Sequence, residues 1–580
     1  MRLFGPFARY ADRYRRRIFW GVACIALAQA AGQYIPMLLK AAIDALEAGG
    51  DGRSEAIARQ VGYIVGLAAV VGLGGYSMRR LLGSASTRIE YDIRTSYFAH
   101  LLSMPLSYYQ TQRTGDLMSR ATNDLNSVRI FFTYGVRGIV ESALGFVLTI
   151  GWMCYLDWRL TLIVLLPVPL FLLFLTRMAT LVHNRFKAIQ EFFGQMSNYV
   201  QENMAGIRVV KAYVQGPAQE EGFGRLNTEY LEKNRGLVLT RATYRPLTHM
   251  IGAVCLGLNL WFGGKAVIEG TMSLGVFVAF NAYLTQLIRP IMYTGWVIDR
   301  FQRALVAMRR INEVMDVKPA IADRAPAEGT PAVEGALRFR GLDFAYDDAP
   351  VLRGITLDIP AGSTVGIMGR VGAGKTTLAR LVPRLIEAGE GQLLLDGRPV
   401  EDWPLDRLRD AIGYVSQNPF LFSNTVAANL GYGVDDPAPD EILQAAEEAQ
   451  VRQDIEGFEQ GFDTLIGERG VTLSGGQKQR STLARALMRR PRILILDDAL
   501  SAVDTHTEEA ILGHLRRVMR GRTTLIIAHR VSTLRDCDRI IVLDEGRIAE
   551  EGTHDQLLRL GGFYADLHAR QQLAAELEAL

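Results

Sequence analysis

The sequence predicts a membrane α-helical domain of six transmembrane helices with long cytoplasmic extensions, followed by a soluble α/β domain. Long apolar runs fill the first half, a proline-rich stretch follows, and short strand-like runs then alternate with helical ones. A chain of 580 residues also exceeds what a single hydrophobic core usually serves. The formal net charge of +3 gives no indication of a nucleic-acid partner.

Residues 1–17 precede the first apolar run and combine aromatic residues with arginines. This mixture is typical of a helix that lies in the membrane interface, so we expect an elbow helix here. The apolar run that follows holds about 22 residues, which is longer than the core of a signal peptide. We therefore expect this run to cross the lipid bilayer.

Six apolar segments approach the length of about 20 residues that a helix needs to cross a hydrocarbon core. A tight turn at Asp157, Trp158 and Arg159 separates the third segment from the fourth. Basic residues concentrate in the second and fourth connections, which places those connections and both termini in the cytoplasm. We thus expect a multi-pass protein of the cell inner membrane, with a transmembrane domain over residues 18–316. The predicted spans are residues 18–39, 61–78, 138–156, 160–175, 250–267 and 274–298.

The second and fourth connections keep apolar residues at helical spacing, so the transmembrane helices are expected to continue into the cytoplasm. Each connection contains a short polar turn around a glycine, near residues 114–120 and 207–213. Such turns are suited to docking on another domain. A solvated helical hairpin is the alternative for both segments.

Charged residues inside the expected spans are few. Arg137 and Glu141 stand four residues apart and are expected to pair on one helix face. Two interpretations remain open for the charges in the spans. Either Glu141 and Arg289 line a water-filled cavity, since charge in a membrane is costly, or Arg137 and Arg289 lie near the cytoplasmic ends and extend to the interface.

Residues 317–334 are rich in proline and small residues, which predicts a linker. The α/β domain is expected over residues 335–570, with a C-terminal tail at residues 571–580. Strands are predicted at residues 337–344, 364–368, 392–395, 493–496, 523–528 and 540–543.

A glycine-rich segment follows the predicted strand at residues 364–368 and precedes a helical run. Glycines let backbone N–H groups surround a phosphate, and the helix N-terminus adds partial positive charge. Lys375 would reach the β- and γ-phosphates of a nucleotide, and the Thr376 hydroxyl would bind Mg²⁺. The segment consists of Gly369, Arg370, Val371, Gly372, Ala373, Gly374, Lys375, Thr376 and Thr377.

Two carboxylates follow the apolar strand predicted at residues 493–496. Asp497 is placed to hold Mg²⁺ through water. Asp498 stands where a general base for the attacking water would lie. The strand and its two carboxylates therefore predict the second half of a nucleotide-hydrolysing site.

A second anion site is predicted where Ser474 and two glycines open a helix. One domain then has two phosphate-binding ends. The economical explanation is that the second end completes the site of a partner domain across an interface. The motif consists of Leu473, Ser474, Gly475, Gly476 and Gln477.

Together these motifs resemble the ATP-binding-cassette half-transporters of the exporter fold (type I exporter, type IV fold), over essentially the whole chain. The resemblance implies ATP and Mg²⁺ as cofactors and a second half-transporter subunit as partner. In that family the glycine-rich loop of one subunit and the signature of the other enclose each ATP. Residues 114–120 and 207–213 resemble the coupling helices.

The resemblance also implies roles for single residues. Tyr346 matches the aromatic residue that stacks on adenine, Gln417 the glutamine that senses Mg²⁺, and His529 the histidine that contacts the γ-phosphate. Taken alone, Tyr346 and His529 are also compatible with a packed strand aromatic and a strand-end residue. The loop that crosses between the two ATP sites matches Ser501, Ala502 and Asp504.

Asp498 departs from the family pattern, in which a glutamate follows the Mg²⁺ aspartate. Its side chain is one methylene shorter, and a displacement near 1 Å can reduce a rate about a hundredfold. Asp498 should therefore support only slow hydrolysis. We expect a heterodimer in which the partner carries the glutamate, whereas a homodimer with a compensating backbone shift is the alternative.

The resemblance implies ATP-driven export of hydrophobic or amphipathic substrates, such as drugs, lipids or peptides, by alternating access. An apolar cavity lining with few charges is expected. Two alternatives keep the fold: an importer of metal-chelating molecules and a homodimeric lipid flippase. A gated channel is a rival of another class, while the six apolar segments argue against a soluble cassette ATPase.

Overall fold

The computed structural model describes residues 9–48, 53–324, 331–347, 349–467, 473–501 and 505–579. The chain divides into two compact units. Unit 1 comprises the residues up to Leu101 together with Thr114–Val317, and unit 2 comprises Leu102–Arg113 together with Lys318–Leu580. The short segment Leu102–Arg113 therefore packs with the C-terminal part of the chain, although it lies between helices of unit 1 in sequence.

Long helices dominate the part of the chain before the linker. Three π-helical turns, at Arg120–Asp124, Phe131–Gly135 and Asn259–Gly263, connect α-helices without interrupting their course. The α-helices are α1 (Arg15–Glu47), α2 (Arg53–Ser103), α3 (Leu106–Thr111), α4 (Thr114–Ser119), α5 (Leu125–Ile130), α6 (Val136–Leu165), α7 (Pro167–Ala205), α8 (Ile207–Ala212), α9 (Gly216–Leu258), α10 (Gly264–Ile268) and α11 (Leu274–Met315).

Four helices among the described residues are long and apolar enough to cross a membrane: Arg9–Glu47, Arg53–Ser103, Thr114–Leu165 and Met250–Ile268. They contain the first, second, third and fifth predicted spans. The fourth predicted span, residues 160–175, runs from α6 into α7. The sixth lies in α11, where Leu274–Leu287 is a shorter apolar helix; the backbone of α11 stays helical through residues 289 and 290.

The turn predicted between the third and fourth spans is a break of a single residue. Asp157 has φ −159° and ψ 107° within otherwise helical backbone. Its Oδ1 accepts hydrogen bonds from the backbone N–H groups of Arg159 at 2.8 Å and Leu160 at 3.0 Å. Asp157 thus caps the N-terminus of the next helical segment, which explains how so short a connection can reverse the chain.

The predicted elbow is described only from residue 9 onward. Asp12–Tyr14 forms a 3₁₀ turn that leads into α1. The Tyr14 hydroxyl donates to Asp92 Oδ2 at 2.8 Å, and Arg13 forms an ion pair with the same carboxylate at 3.4 Å. These bonds attach the elbow to α2.

The helices extend well beyond a bilayer, as predicted. At 51 residues, α2 is about 76 Å long. Short helices cover both predicted coupling segments, α4 at Thr114–Ser119 and α8 at Ile207–Ala212. Arg310 of α11 pairs with Asp116 and, at 2.9 Å, with Asp124, so ionic contacts hold the end of α11 against the segment that begins with α4.

Unit 2 is layered around two sheets. The four-stranded sheet has the order β2-β1-β4-β5, and the six-stranded sheet the order β10-β9-β3-β8-β7-β6. In the larger sheet β9, β3, β8, β7 and β6 pair in parallel, and β10 is antiparallel to β9. The strands are β1 (Leu337–Tyr346), β2 (Ala349–Ile359), β3 (Thr364–Gly369), β4 (Leu393–Leu395), β5 (Arg398–Pro399), β6 (Ile412–Val415), β7 (Ile493–Asp497), β8 (Thr523–Ile527), β9 (Arg539–Asp544) and β10 (Arg547–Gly552).

Helices cover the sheets and complete the α/β architecture. All six predicted strands are present within about two residues of their expected limits, whereas β2, β5, β6 and β10 were not predicted. The helices of unit 2 are α12 (Lys375–Leu381), α13 (Leu405–Asp410), α14 (Val426–Leu430), α15 (Pro439–Glu448), α16 (Arg452–Glu456), α17 (Gly475–Met488), α18 (Thr505–Met519), α19 (Val531–Leu534), α20 (His554–Leu560) and α21 (Phe563–Ala579).

Both ends of unit 2 differ from simple linkers. In the predicted linker, Ile321 is buried and Asp323 Oδ1 accepts a hydrogen bond from the Leu405 N–H at 2.6 Å. Residues 325–330 lie outside the described part. At the other end, α21 continues through residue 571, where a separate tail was predicted. The helix therefore runs from the domain into the predicted tail without a break at residue 571.

Candidate nucleotide site and membrane cavity

The glycine-rich loop joins β3 to α12 through backbone that only glycine adopts easily. Gly369 has φ +149°, and a β-carbon there would clash with the carbonyl oxygen of Leu543. Gly374 has φ +95°, and a β-carbon would lie 2.6 Å from Leu352 Cδ2. The conformation of the loop and the close packing beneath it thus explain these two glycines.

Lys375 begins α12 and is buried at 7% exposure. Its Nζ donates to the carbonyl oxygens of Gly369 and Arg370, both at 2.8 Å. Burial lowers the pKa of Lys375, while the nearby carboxylates of Asp498 and Asp497 oppose that shift. The ammonium is therefore held at the mouth of the loop, where an incoming phosphate would replace the two carbonyls.

Asp497, the last residue of β7, lies beside the glycine-rich loop. The Thr376 hydroxyl donates to its Oδ1 at 3.0 Å, and the Tyr414 hydroxyl donates to its Oδ2 at 3.3 Å. Burial raises the pKa of Asp497, and the two hydrogen bonds counteract the shift. Burial, together with the charge of Asp497, also raises the pKa of Tyr414 to about 12, so this hydroxyl is a donor at any physiological pH.

Thr376, Asp497 and Gln417, which each carry a side-chain oxygen atom, line one cavity beside the glycine-rich loop. Oxygen donors of this kind suit Mg²⁺, which keeps several waters and binds one or two protein groups plus substrate phosphates. Among the described residues, no group of three or more His, Cys, Asp or Glu side chains is arranged to hold a metal ion. The donor set therefore fits an ion bound together with a phosphate ligand.

Asp498 follows β7 in a left-handed backbone conformation, with φ +50°. Its N–H donates to the carbonyl oxygen of Ile527 at 2.9 Å, which fixes the residue against the end of β8. Its Oδ2 accepts a hydrogen bond from Gln417 Nε2 at 3.4 Å. Aspartate tolerates the left-handed region better than most residues.

Ser501 lies directly behind Asp498. Its Oγ donates to the carbonyl oxygen of Asp498 at 3.0 Å, and it accepts a hydrogen bond from Gln479 Nε2 at 3.1 Å. Gln479 belongs to α17, two residues beyond the signature motif, and was not predicted. Ala502 and Asp504 lie outside the described residues.

His529 follows β8 with an exposed side chain. Gln571 of α21 bonds the backbone at His529 and at Val531, two residues further on. Gln571 Nε2 donates to the His529 carbonyl oxygen at 2.8 Å, and Gln571 Oε1 accepts from the Val531 N–H at 2.9 Å. Gln571 lies in the predicted C-terminal tail, and its contact with His529 was not predicted. Only the packing of α21 brings the two residues together.

One cavity of about 310 Å³ is lined by eleven of the fourteen residues predicted for catalysis, ATP binding and Mg²⁺ binding; Tyr346, Gly369 and Arg370 are not in the lining. The signature motif is not part of its lining. Ser474 instead caps α17, with Gln477 completing a capping box and donating to Asp454 at 3.0 Å. The described lining is Val351, Val371, Gly372, Ala373, Gly374, Lys375, Thr376, Thr377, Gln417, Asp497, Asp498, Ile527 and His529.

Tyr346 also lies outside that lining. It ends β1, is half-buried and makes an edge-to-face contact with Phe344 at a centroid distance of 4.9 Å. Arg380 hydrogen-bonds both Tyr346 and Tyr414. The adenine role of Tyr346 therefore remains a prediction from resemblance.

Unit 1 contains a separate cavity of about 600 Å³ between α1, α2, α6 and α11. Arg137 Nε donates to Glu141 Oε1 at 2.7 Å, as their spacing predicted. The predominantly apolar lining that we expected is wrong for this cavity, because the span sequences did not reveal which polar side chains converge. The side chain of Arg289 is not among those that the structure describes. The cavity is lined by Gln29, Gly32, Gln33, Val71, Arg137, Gly138, Glu141, Ser142, Gly145, Gln286 and Tyr293.

A multi-helix membrane domain joined to a domain with a glycine-rich phosphate loop defines an ATP-hydrolysing membrane transporter. Residues 18–291 match the family model of the ABC transporter transmembrane region, and residues 352–501 match that of the ABC transporter. This chain belongs to the ABC transporter family, in which ATP hydrolysis is coupled to transport.

Relatives extend over nearly the whole chain. The probable multidrug resistance ABC transporter ATP-binding/permease protein YheI of Bacillus subtilis is 37% identical, covering 93% of this chain and 92% of its own. The multidrug resistance-like ATP-binding protein MdlA of Escherichia coli is 35% identical, covering 100% and 98%. A bacterial Atm1-family ABC exporter, solved with ATP bound, superposes with a TM-score of 0.78 at 29% identity, covering 96% and 98%.

Proposed function

We propose that this chain is the slow-site subunit of a heterodimer that exports hydrophobic or amphipathic substrates by ATP-driven alternating access. The observation that carries the proposal is Asp498, whose short carboxylate stands at the catalytic position and contacts Gln417 at 3.4 Å. The similarity to multidrug transporters and to an ATP-bound exporter supports the export direction.

In the proposed site the glycine-rich loop and Lys375 bind the β- and γ-phosphates of ATP. Thr376 and Gln417 would bind Mg²⁺ directly and Asp497 through water, and the ion would neutralise charge on the phosphates. Asp498 would orient and deprotonate the attacking water, with His529 near the γ-phosphate. The carboxylate must come within hydrogen-bond reach of that water, and the missing methylene makes the reach short.

The signature motif of this chain would act in the other site. Leu473–Gln477 does not line the cavity formed by the chain's own glycine-rich loop, which is consistent with a role across a dimer interface. A partner that carries the glutamate would then use this signature for fast hydrolysis. The two ATP sites of such a pair are unequal.

The protein is proposed to lie in the cytoplasmic membrane with both termini inside.

Leu102–Arg113 groups with unit 2, whereas α8, at Ile207–Ala212, belongs to unit 1. Val209 in α8 and Tyr213 directly after it are 61% and 74% exposed. We infer that α8 and its exposed apolar residues dock on the nucleotide domain of the partner subunit.

Two copies of the chain with different affinity tags, produced together, test the pairing. We expect neither copy to recover the other, and the isolated chain in lipid nanodiscs to bind ATP but to hydrolyse it slowly. Mutual recovery together with brisk hydrolysis would contradict the heterodimer and favour a homodimer. A Lys375→Ala variant controls for contaminating ATPase.

Transport itself is measured in inside-out membrane vesicles from cells that contain the chain and its native partner. ATP-dependent accumulation of a fluorescent hydrophobic dye is the expected result for export, and the Lys375→Ala chain should show much less. Loss of preloaded dye on addition of ATP would indicate import instead. Passive equilibration that does not depend on hydrolysis would indicate a channel.

A further inference from the structure

We propose that the cavity between α1, α2, α6 and α11 binds a zwitterionic head group, one that carries an ammonium and an acidic group a few ångströms apart. This inference deepens the transport function proposed above by naming the class of amphiphile that enters the site. It rests on two features of the cavity: an unpaired amide oxygen, and an accessible ion pair that presents one charge of each sign.

Gln33 supplies the unpaired amide. The residue is 5% exposed and lines the cavity, yet its Oε1 has no hydrogen-bond partner among the described residues. A buried acceptor without a donor is unfavourable, so nearly all such groups in proteins are paired. The backbone of α1 is held in place at Gln33, because the Tyr283 hydroxyl donates to the Gln33 backbone carbonyl oxygen at 2.8 Å. The buried amide oxygen of Gln33 therefore offers an acceptor to a ligand donor.

Arg137 and Glu141 supply opposite charges within reach of a ligand. Their single hydrogen bond joins Nε to Oε1 at 2.7 Å, and it leaves the terminal guanidinium nitrogens and the second carboxylate oxygen for other partners. The two side chains are 36% and 34% exposed. Gln29 Nε2 donates to the Glu141 carbonyl oxygen at 3.0 Å, which ties this part of α6 to α1.

The described lining contains one charge of each sign. Arg137 and Glu141 are the only ionisable groups of that described lining apart from the Tyr293 hydroxyl. A ligand that carries a single charge would pair with only one member of this ion pair and leave the other unpaired where the dielectric constant is low. A zwitterion instead offers an acid to the guanidinium fork and an ammonium to the carboxylate and to Gln33. A volume of about 600 Å³ falls within the range of sites that hold small ligands.

Binding of four lipids with the same palmitoyl chain tests the assignment. The transporter is purified through a tag on this chain from its own cells, with its partner, and placed in nanodiscs without ATP. The radiolabelled probes are palmitoyl lysophosphatidylethanolamine (zwitterion), palmitoyl lysophosphatidylglycerol (anion), palmitoylcholine (cation) and monopalmitoylglycerol (uncharged). We expect the zwitterion to bind at least tenfold more tightly than each of the others.

Variants locate the site. Arg137→Gln combined with Glu141→Gln removes both charges at nearly constant shape, and Gln33→Met removes the acceptor alone. The first change should weaken binding of the zwitterion at least tenfold and the second about threefold. Arg303→Gln is the matched control, since Arg303 forms an equivalent pair with Asp299 on α11 outside the cavity, and it should bind like the unaltered protein.

Equal binding of the four probes, tighter binding of any probe other than the zwitterion, or unchanged binding in both cavity variants would overturn the proposal. Failure of the head-group assignment is separable from failure of export. Vesicle accumulation of dye that persists while the four lipids bind equally would refute only the ligand class. Selective zwitterion binding without ATP-dependent transport would refute export and retain the site.

Discussion

Gln417 Nε2 lies 3.4 Å from Asp498 Oδ2, and this contact joins the loop after β6 to the residue after β7. It is at the long end of hydrogen-bond distances. A side chain one methylene longer at residue 498 would extend further into the cavity that also contains Lys375 and His529. We therefore attribute the proposed slow hydrolysis of ATP to the short reach of one carboxylate, that of Asp498.

Asp498→Glu should raise the ATP turnover of the isolated chain about tenfold to a hundredfold, because the longer side chain restores the reach of the base. Steady-state phosphate release measures the effect. Asp498→Asn is the control and should remain at or below the original rate. An unchanged rate in Asp498→Glu would show that another feature of the site limits hydrolysis.

Gln571→Leu should lower the maximal hydrolysis rate severalfold while ATP affinity and melting temperature stay nearly constant. The reason is that the Gln571 amide fixes the backbone that follows His529, through the His529 carbonyl oxygen and the Val531 N–H, without lining the cavity. Gln572→Leu, which changes the exposed neighbouring residue on the same helix, is the matched control. These measurements require the transporter with its partner. Equal rates for the two variants would exclude the positioning role.

Gly369→Ala should abolish ATP binding, because the new methyl group clashes with the Leu543 carbonyl oxygen in backbone with φ +149°. Gly397→Ala is the comparison, since it also has positive φ, at +77°, but nothing lies within 4 Å of its added carbon. Strain alone should cost the comparison variant about 1–2 kcal/mol of unfolding free energy. Binding of a fluorescent ATP analogue and thermal melting distinguish the two effects; normal binding by Gly369→Ala would contradict the close-packing argument.

Tyr414→Phe should weaken Mg²⁺-dependent ATP binding about twofold to tenfold, because Asp497 loses the donor that orients its Oδ2. The pKa of Tyr414 is raised to about 12, so the hydroxyl stays protonated and the ratio of wild-type to variant affinity should be the same at pH 6.5 and pH 9. Calorimetric titration at both pH values provides the measurement. Tyr432→Phe, at an exposed tyrosine stacked on Phe422, is the control. A ratio that falls with rising pH would contradict this assignment.

Much of the fold was accessible from sequence because its signals are local. Apolar length identified the spans, and strands such as β3, β7 and β8 are almost entirely buried, mostly apolar runs with clear ends. Strands β2, β6 and β10 were missed because they are either partly exposed or very short, so their stability depends on pairing with neighbours. These three strands form because they pair with neighbouring strands, and their own residues do not indicate a strand when read alone.

The sequence by itself determined the nucleotide chemistry, since the glycine-rich loop and the Asp497–Asp498 pair each lie within a few consecutive residues. Only the tertiary structure decided which distant side chains serve that chemistry. Gln571 meets His529 across 42 positions of sequence, and Gln33 lines the same cavity as the Arg137–Glu141 pair because separate helices pack together. Local backbone preferences carry no information about such encounters, because they depend on how completed helices and strands bury their surfaces against one another.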